Sequence, residues 1–515
     1  MKSAASIKGA LEDTPRRGFL AAIVLGGGLA TALLIMWNPL VALAVAAMAM
    51  LALVVVASPD VATFTVIFIL YSNIAVVASR FHGVPKVVAG VFPLLLGFPL
   101  VRDLISRRQR LIVTPALPLL LLFLAVQVLG MAFSRDAAVT RTAVLEMIFE
   151  GLLVYFLITN VVRTPRALRL AAWAVLLGGA MSAAVPCYQQ LTGTQGRNYG
   201  GLGQTSDVGF RTDESSNRGE GRQLRLAGSI GEQNRYAQNM LMILPIGLYL
   251  FLGEPSRRRR TLALALTGLA GGGFLLSFSR GAAVGFLVVA TSMVLLRTIT
   301  ARQLGGICLV AVLALAFLPQ YRARMRTILE TAMLASDSGV TSTEVDSSVR
   351  RRITEMLAAA AVFADHPLIG VGPGMFKYYS AEYGNRLGIR KITETRKAHS
   401  LYLEVAAENG TLGLLSFFSA VLVTLYGLIV ARRRFLRSSP GESSDAKRER
   451  LLLAYLVTGL LLALISYLAT GLFLHLAYIR FFYLMLGLAG AAVEMATEGG
   501  REGFLSGAGH AAQTT

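Results

Sequence analysis

The sequence predicts an all-α membrane protein, a bundle of about 12–14 transmembrane helices with one long, partly helical loop. Composition is the first indication, because 55% of the residues are hydrophobic and only 15% are charged. Soluble domains carry roughly 25% charged residues. Apolar runs near the roughly 20 residues needed to cross a bilayer recur along the chain. The Lys and Arg residues, which give a net charge of +20, cluster in short blocks between these runs.

The apolar runs predict the membrane spans and divide the chain. The spans are 18–36, 39–57, 61–78, 87–101, 113–133, 144–162, 168–186, 236–252, 261–278, 281–296, 303–318, 411–430, 451–469 and 472–494. The division that follows is a cytoplasmic tail (1–17), N-terminal transmembrane helices (18–186), an outer loop (187–235), transmembrane helices with a hairpin at Arg280 (236–318), a large outer loop (319–410), C-terminal transmembrane helices (411–494) and a disordered cytoplasmic tail (495–515). The first span is expected to stay uncleaved, because no clear cleavage site follows the N-terminal basic residues.

The basic connectors decide the predicted orientation. With the N-terminus inside, five of them fall on the cytoplasmic side, as positively charged connectors usually do: Arg102–Arg110, Arg163–Arg169, Arg257–Arg260, Arg297–Arg302 and Arg432–Arg437. The even number of spans then places the C-terminus inside as well. Short separated blocks do not form one basic docking face, so the charge does not indicate a nucleic-acid partner.

The large loop at 319–410 is rich in ionisable groups. Loops of that length are uncommon in compact proteins unless they have a function. The triple arginine at 350–352 opens a predicted helix, and it is either a solvated face or a site for an anion. The packed face of this helix is predicted from residues at helical spacing: Ile353, Met356, Leu357 and Ala360.

Two further residues are candidates for chemistry. Arg280 lies at the outer end of two apolar runs, where it is either an interfacial arginine or an anion ligand whose guanidinium keeps its proton. His399 precedes an amphipathic helix that leads into the next span. A histidine with its ordinary pKa near 6.5 can accept a proton at neutral pH, which suits a general base, although many single histidines are structural.

Several chemistries lack support in the sequence. Cys187 and Cys308 are the chain's two cysteines and lie far apart, so neither a disulfide framework nor a cysteine metal site is expected. Gly370–Gly374 reads GVGPG and is a predicted turn, because it lacks the spacing of a nucleotide-binding loop. No zinc-hydrolase or serine-hydrolase motif is present. We therefore expect neither a metal nor a cofactor.

Five segments in this order resemble the O-antigen ligase and polymerase superfamily: RLAGSIGEQN, FSRG, R-I-x-x-M, HPLIGVGPG and HSLYLEVAAENGTLG. Together they cover about Arg225 to Leu415. Members of this superfamily are polytopic proteins of the bacterial inner membrane with a long periplasmic loop. The resemblance implies an undecaprenyl-pyrophosphate-linked glycan as donor, a glycan, lipid or protein as acceptor, polysaccharide export machinery as a partner, and neither nucleotide nor metal.

The resemblance also implies roles for particular residues. It assigns the membrane-edge arginine of the family to Arg280, the loop arginine to Arg352 with Arg351 as the neighbouring choice, and the essential histidine to His399. Two positions depart from the family, which often has Asn where this chain has Ser400 and Trp where it has Met356.

This assignment predicts a mechanism. Arg280 and Arg352, with Arg225, would stabilise the charge on the leaving pyrophosphate. His399 would take the proton of an acceptor hydroxyl that attacks the anomeric carbon with inversion. Secondary candidates around this site are Asn234, Glu404 and Glu408.

Three alternatives stay open. A polymerase would use the same donor and join it to another repeat unit. A transporter of lipid-linked sugar would show polar residues or broken helices near mid-membrane, whereas the predicted spans are mostly Leu, Ala, Val and Gly. A cysteine transpeptidase would need an activated thiol at Cys187, and its neighbours in the sequence supply no activating group.

Overall fold

The computed structural model describes residues 59–86, 90, 92–105, 107–211, 222–306, 309, 345–388, 396–438, 442–474 and 479–511. Side chains in these ranges are described except at 59, 206–211, 222–224, 345–351, 479 and 498–511. The helices are α1 (Pro59–Ser72), α2 (Ile74–Phe81), α3 (Gly97–Ile105), α4 (Ala116–Gly130), α5 (Ala137–Glu146), α6 (Leu153–Val161), α7 (Pro165–Thr192), α8 (Gln233–Gly253), α9 (Arg257–Leu276), α10 (Arg280–Leu295), α11 (Val345–Asp365), α12 (Phe376–Arg386), α13 (Leu401–Leu436), α14 (Ser444–Gly471) and α15 (Ile479–Ala511). A π-helical segment, Met147–Leu152, joins α5 to α6. Two strands, β1 (Gln204–Arg211) and β2 (Arg222–Gly228), precede α8.

The predicted all-α polytopic bundle is confirmed. Over the described residues, six helical segments are long and apolar enough to cross a membrane, or seven if α1 and α2, bent by 56°, form one span. The six are Ala116–Phe133, Ala137–Val161, Pro165–Thr192, Gln233–Gly253, Leu401–Leu436 and Ser444–Gly471. The predicted spans at 18–36 and 39–57, and most of 303–318, lie outside the described residues.

From residue 92 onwards, the predicted span at 87–101 is not one continuous α-helix. This part is a short 3-10 helix, Phe92–Leu96, followed by α3, and neither is long enough to cross a bilayer alone. Pro93 and Pro99 each lack an N–H group, which disfavours a continuous helix through this run. Hydrophobicity alone therefore predicted a membrane-spanning helix where residues 92–105 form two shorter helices.

The outer loop predicted at 187–235 contains a β-hairpin that the sequence reading missed. β1 pairs antiparallel with β2, with Gln204 opposite Gly228. The flanking helices also reach further into the loop than expected. α7 ends at Thr192, where Gly193 takes a left-handed conformation with φ 67°. α8 begins early because the Glu232 carboxylate accepts hydrogen bonds from the first backbone N–H groups of the helix.

The buried face of α11 is also different from the predicted one. Ile353 and Leu357 are 47% and 43% exposed, whereas Thr354 and Glu355 are fully buried. The packed face continues along α11 through Ala358 and two further residues, and it meets α12 and the start of α13 in a small apolar cluster: Ala358, Ala359, Val362, Val371, Met375, Phe376, Tyr379, Tyr383, Ala398 and Ala407. This cluster fixes α11 against the segment that carries His399.

The predicted turn at Gly370–Gly374 belongs to a longer connection that lies against a break in α13. The break is at Gly410, whose backbone has φ 63° and ψ −165°, a conformation open to glycine. On the C-terminal side of the break, the N–H groups of Thr411 and Leu412 donate to the carbonyls of Pro367 and Leu368 at 2.7 and 3.2 Å. On its N-terminal side, the carbonyls of Ala407 and Glu408 accept from the N–H groups of Val371 and Gly372 at 3.0 and 2.9 Å. Residues 367–372 therefore bridge both sides of the break.

One end of the bundle collects the turns that carry the predicted site. A Cβ atom on Gly281, at the start of α10, would lie 3.1 Å from Cβ of Phe473 in the segment after α14. A Cβ on Gly471, at the end of α14, would lie 3.0 Å from the side chain of Leu401 at the start of α13. The α9–α10 turn and the large loop are therefore neighbours at the same end.

The C-terminal segment differs from the expected disordered tail. α15 continues to Ala511, well past the predicted boundary at 495. Ala, Met, Glu and Leu favour helix, and they continue through this region between its glycines.

Candidate functional site

The α9–α10 turn that bears Arg280 is held from the β-hairpin and from α8. Nε and Nη2 of Arg225 donate to the backbone carbonyls of Ser277 and Phe278, both at 3.2 Å. The amide oxygen of Asn234 accepts from Nη2 of Arg225 at 3.3 Å and from Oγ of Ser279 at 3.0 Å. Two of the predicted site residues, Arg225 and Asn234, thus bind the turn itself.

Arg280 is the first residue of α10, and its side chain is exposed. Ser279 precedes it as the N-cap, and its Oγ accepts from the N–H of Ala282 at 3.4 Å. The start of a helix carries a partial positive charge from its aligned peptide groups. An exposed guanidinium at that position suits an anion such as a phosphate group.

His399 lies just before α13 in a left-handed backbone conformation, with φ 50°. Its side chain is 32% exposed, and its Nε2 lies 3.6 Å from Oε2 of Glu355 on α11. Burial lowers the pKa of His399 to about 4, and the positive charges of Arg352 and Arg235 act in the same direction. The imidazole is therefore neutral at pH 7 and has a lone pair available for a proton.

Arg352 is half-buried on α11, one turn before Glu355, and its charge has the largest electrostatic effect on His399. The side chains of Arg350 and Arg351 lie outside the described residues. Arg352 is therefore close to His399.

The start of α8 connects the two halves of the predicted site. Asn234 contacts the α9–α10 turn, and the next residue, Arg235, is close enough to His399 to lower its pKa. Arg235 is 2% exposed, and its Nη1 donates to Oε1 of Gln238 at 3.1 Å. The α9–α10 turn and His399 are therefore both close to the start of α8.

Of the two glutamates named as secondary candidates, Glu408 holds a turn. Glu408 uses both carboxylate oxygens on the backbone, accepting from Gly374 N–H at 2.8 Å and from Phe376 N–H at 3.1 Å. It thereby fixes the turn at the start of α12. Glu404 is 8% exposed and lies one turn after His399 on α13.

Two residues of the site were missed from the sequence, Glu355 and Arg235. Glu355 follows Arg352 by three positions, which places both on one side of a helix, and that spacing was the available signal. Arg235 directly follows the quoted segment RLAGSIGEQN. Both are fully or almost fully buried, and burial of a charged residue cannot be read from a single helical pattern.

The environment of Cys187 does not favour a nucleophilic thiol. Its Sγ is 3.8 Å from the carbonyl oxygen of Leu269 on α9, and a carbonyl oxygen cannot stabilise a thiolate. Over the described residues, no three His, Cys, Asp or Glu side chains are grouped to hold a metal ion.

The segment containing the α9–α10 turn, α11, α12 and the start of α13 matches a known family. Residues 263–418 match the family described as O-antigen ligase. The match supports an O-antigen ligase-like or polymerase-like glycosyltransferase in a multi-pass membrane protein. Comparison with curated proteins gave no match.

The family match includes three of the predicted site residues, Arg280, Arg352 and His399. Arg225 and Asn234 precede the matched segment, but they support it directly through the α9–α10 turn. The resemblance inferred from the sequence is confirmed by this match.

Proposed function

We propose that this protein transfers a glycan from undecaprenyl pyrophosphate to an acceptor hydroxyl at the periplasmic face of the bacterial inner membrane. The observation that carries the proposal is a neutral histidine, His399, surrounded by arginines within the O-antigen ligase segment. A neutral imidazole can accept a proton, and arginines can hold a pyrophosphate.

The arginines act on the leaving group. When the bond between the anomeric carbon and the pyrophosphate oxygen breaks, its electron pair stays on the pyrophosphate. Arg280, at the start of α10, and Arg352, on α11, stabilise that negative charge. Arg225 supports this step by holding the α9–α10 turn through two backbone carbonyls.

His399 acts on the acceptor. The acceptor oxygen attacks the anomeric carbon while its proton moves to the imidazole. Direct attack inverts the configuration at that carbon. Glu355 is a positioning residue, because its buried carboxyl group lies 3.6 Å from Nε2 of His399 and can orient the ring and stabilise the imidazolium.

Donor binding makes His399 a stronger base. The positive charges of Arg352 and Arg235 lower its pKa in the empty site. A bound pyrophosphate neutralises part of that positive field, so the pKa of His399 rises towards its ordinary value. The proton is therefore taken most readily when the leaving group is in place.

Alanine replacements of His399 and Arg280 test the proposal in a deletion strain. We expect each variant to reach the membrane and to lose glycan transfer, with lipid-linked glycan accumulating. His82→Ala is a matched control, because His82 is exposed and bonds the carbonyl of Gly200 at 2.9 Å. Near-normal product from His399→Ala would contradict the assignment.

The gel pattern of the deletion strain separates ligase from polymerase. A ligase is indicated if long glycan chains persist but stay unattached to the acceptor. A polymerase is indicated if the long chains are lost. Both results fit the same donor chemistry.

Transport of a lipid-linked sugar is the second candidate, favoured by one observation. Arg480 is 9% exposed, and its Nη2 donates to Oδ1 of Asn73 at 2.5 Å, at the bend between α1 and α2. Its Nη1 lies 3.5 Å from Oε2 of Glu150. Broken helices with buried charges are a feature of transporters. Flux of labelled lipid-linked glycan across vesicles without any covalent product would favour this function.

A further inference from the structure

A cavity of about 500 Å³ lies between α1, α7 and α9, at the opposite end of the bundle from the proposed catalytic site. α9 runs from this end to the turn that bears Arg280, over 20 residues or about 30 Å. This α7–α9 cavity is lined by Phe64, Arg166, Arg169, Leu170, Trp173, Leu177, Arg259 and Leu262. None of the residues proposed for glycosyl transfer lines it.

The lining of the α7–α9 cavity changes from charged to apolar along the helices. Arg166 and Arg169 lie in the first two turns of α7, and Leu177 lies about 12 Å further along the same helix. Arg259 lies in the first turn of α9, and the apolar Leu262 follows it by one turn. The cavity therefore has a cationic part at the end of the bundle and an apolar part towards its middle, a pattern that suits an amphiphile.

One buried carboxylate holds Arg169 and Trp173 in place. The Glu254 side chain is 0% exposed and accepts from Nε of Arg169 at 2.7 Å and from Nε1 of Trp173 at 2.8 Å. It also accepts from Nη2 of Arg169. The guanidinium still has the two N–H groups of Nη1, and the arginine side chain is 23% exposed. Arg169 is therefore fixed in position and retains donors for a second anion.

The remaining positive charge at the cationic part is poorly balanced. Asp60 lies 3.4 Å from Nε of Arg166, but their side chains are 43% and 81% exposed, and exposed pairs contribute little. Arg259 is the third of four consecutive arginines at 257–260, where α9 begins. Positive charge at a helix start is unfavourable, because the aligned peptide groups already place a partial positive charge there. An anion bound at this position would reduce the repulsion.

We propose that the α7–α9 cavity binds an anionic phospholipid, with its phosphate group at the three arginines and an acyl chain along the apolar part of α7. Arginine binds phosphate through paired N–H groups. Basic pockets between transmembrane helices bind anionic lipid head groups in other membrane proteins. A free phosphate has no group to cover Leu170, Trp173 and Leu177, so the lining favours a lipid.

The chain's own apolar runs at 18–36 and 39–57 are an alternative occupant of the apolar part. They lie outside the described residues, but the sequence contains no Asp or Glu between Asp13 and Asp60. These runs therefore cannot supply an anion to the arginines. A phospholipid supplies both the anion and the hydrocarbon.

Lipid binding to the full-length protein, measured by native mass spectrometry, tests the proposal. The probes are phosphatidylglycerol, phosphatidylcholine with the same acyl chains, and glycerol 3-phosphate, which has the phosphate without the chains. We expect the first phosphatidylglycerol to bind at least about fivefold more tightly than phosphatidylcholine, and glycerol 3-phosphate to bind more weakly than either lipid. Arg259→Ala should weaken phosphatidylglycerol binding by about fivefold, the usual contribution of one basic residue at an anionic lipid surface, and should leave phosphatidylcholine binding unchanged.

Two further variants separate the cavity from general attraction to basic surfaces. Arg433→Ala is the matched control, because Arg433 is also exposed and lies near the C-terminal end of α13, outside the cavity. It should leave phosphatidylglycerol binding unchanged. Leu262→Trp places a larger side chain in the cavity from a position that is 48% exposed. This variant should lose the tight binding of phosphatidylglycerol, while its thermal midpoint without added lipid should match wild type.

Four outcomes would overturn the proposal. Equal affinities for the two lipids, or equal losses in Arg259→Ala and Arg433→Ala, would indicate attraction without a site. Glycerol 3-phosphate binding as tight as that of phosphatidylglycerol would indicate a soluble phosphate ligand instead of a lipid. Unchanged phosphatidylglycerol binding in Leu262→Trp would contradict the position of the acyl chain. These measurements do not use glycan transfer, so they stand whether or not the proposed function holds.

Discussion

Replacing Glu355 with Gln tests the proposed partner of the histidine. The Glu355 side chain is 1% exposed, and its Oε2 lies 3.6 Å from Nε2 of His399. Glutamine keeps the volume and a polar end but cannot carry a negative charge. The substitution therefore removes the electrostatic interaction with little change in packing.

The separation gives the magnitude. At 3.6 Å, an ionised Glu355 and an imidazolium attract by about 5 kcal/mol at an effective dielectric constant of about 20. Because the proton is partly transferred to His399 in the transition state, Glu355→Gln should remove roughly half or more of this attraction from the transition state. Since about 1.4 kcal/mol corresponds to a tenfold change in rate, we expect kcat to fall by about 10²–10³-fold. The KM values for donor and acceptor should change little.

The assay is glycan transfer by purified protein in nanodiscs, measured across the pH range with lipid-linked glycan extracted from membranes. Glu355→Asp should recover part of the loss, because it restores the charge at a greater distance. The acid limb of the pH profile should move to lower pH in Glu355→Gln, since the negative charge that supports the imidazolium is gone. A kcat within about threefold of wild type with the same pH profile would refute this role, provided that the thermal midpoint shows a folded protein.

Four further predictions concern the pH dependence of activity, the pH dependence of stability, a buried ion pair and the break in α13. Because the pKa of His399 is lowered to about 4 in the protein without donor, kcat/KM, which reports the free enzyme, should stay constant from about pH 8 to about pH 5 and fall only nearer pH 4. A fall of kcat/KM centred on about pH 6.5 would contradict this environment. The same lowered pKa means that the unfolded state binds this proton first, so His399 should contribute a loss of stability as the pH decreases from about 6.5 to about 4, measured as thermal midpoint against pH. Glu254→Ala should destabilise the protein by about 3–5 kcal/mol, because the carboxylate is 0% exposed and accepts from Arg169 and Trp173. Arg166→Ala is the control and should lower the free energy of unfolding by at most about 1 kcal/mol, because its side chain is 81% exposed. Equal losses of stability in the two variants would contradict the greater importance of the buried ion pair. Gly410→Ala should abolish folded protein on size-exclusion chromatography, since a Cβ there would overlap the Leu368 carbonyl at a positive φ, whereas Gly268→Ala meets nothing within 4 Å and should be tolerated.

The helices of the bundle could be predicted from the sequence because hydrophobic run length is a local property. The runs at 168–186 and 451–469 correspond to α7 and α14, and only their ends differ. The run at 87–101 was misjudged, because its two prolines interrupt the helix more than its apolar residues favour one. The hairpin of β1 and β2 depends on pairing between residues that are distant in the chain, so no local hydrophobic periodicity predicts it.

The candidate site was predicted in part. Arg280 and His399 stand out in the sequence because each is an ionisable residue at the edge of an apolar run. Glu355 does not stand out, because a glutamate in a helix normally faces solvent, and its burial results from packing of α11 against residues beyond position 370. The partners of Arg225, which are backbone carbonyls of the α9–α10 turn, likewise depend on the tertiary fold.

The break in α13 has a consequence for how the protein responds to its bilayer. A helix break is often a hinge, but here the residues on both sides of Gly410 are bonded to the same extended segment, 367–372. The angle at the break is therefore fixed, and the part of α13 after Gly410 moves together with the segment that carries His399. A span that is longer than the hydrocarbon thickness of its bilayer can accommodate the mismatch by tilting. A change of lipid that tilts α13 would therefore also displace His399.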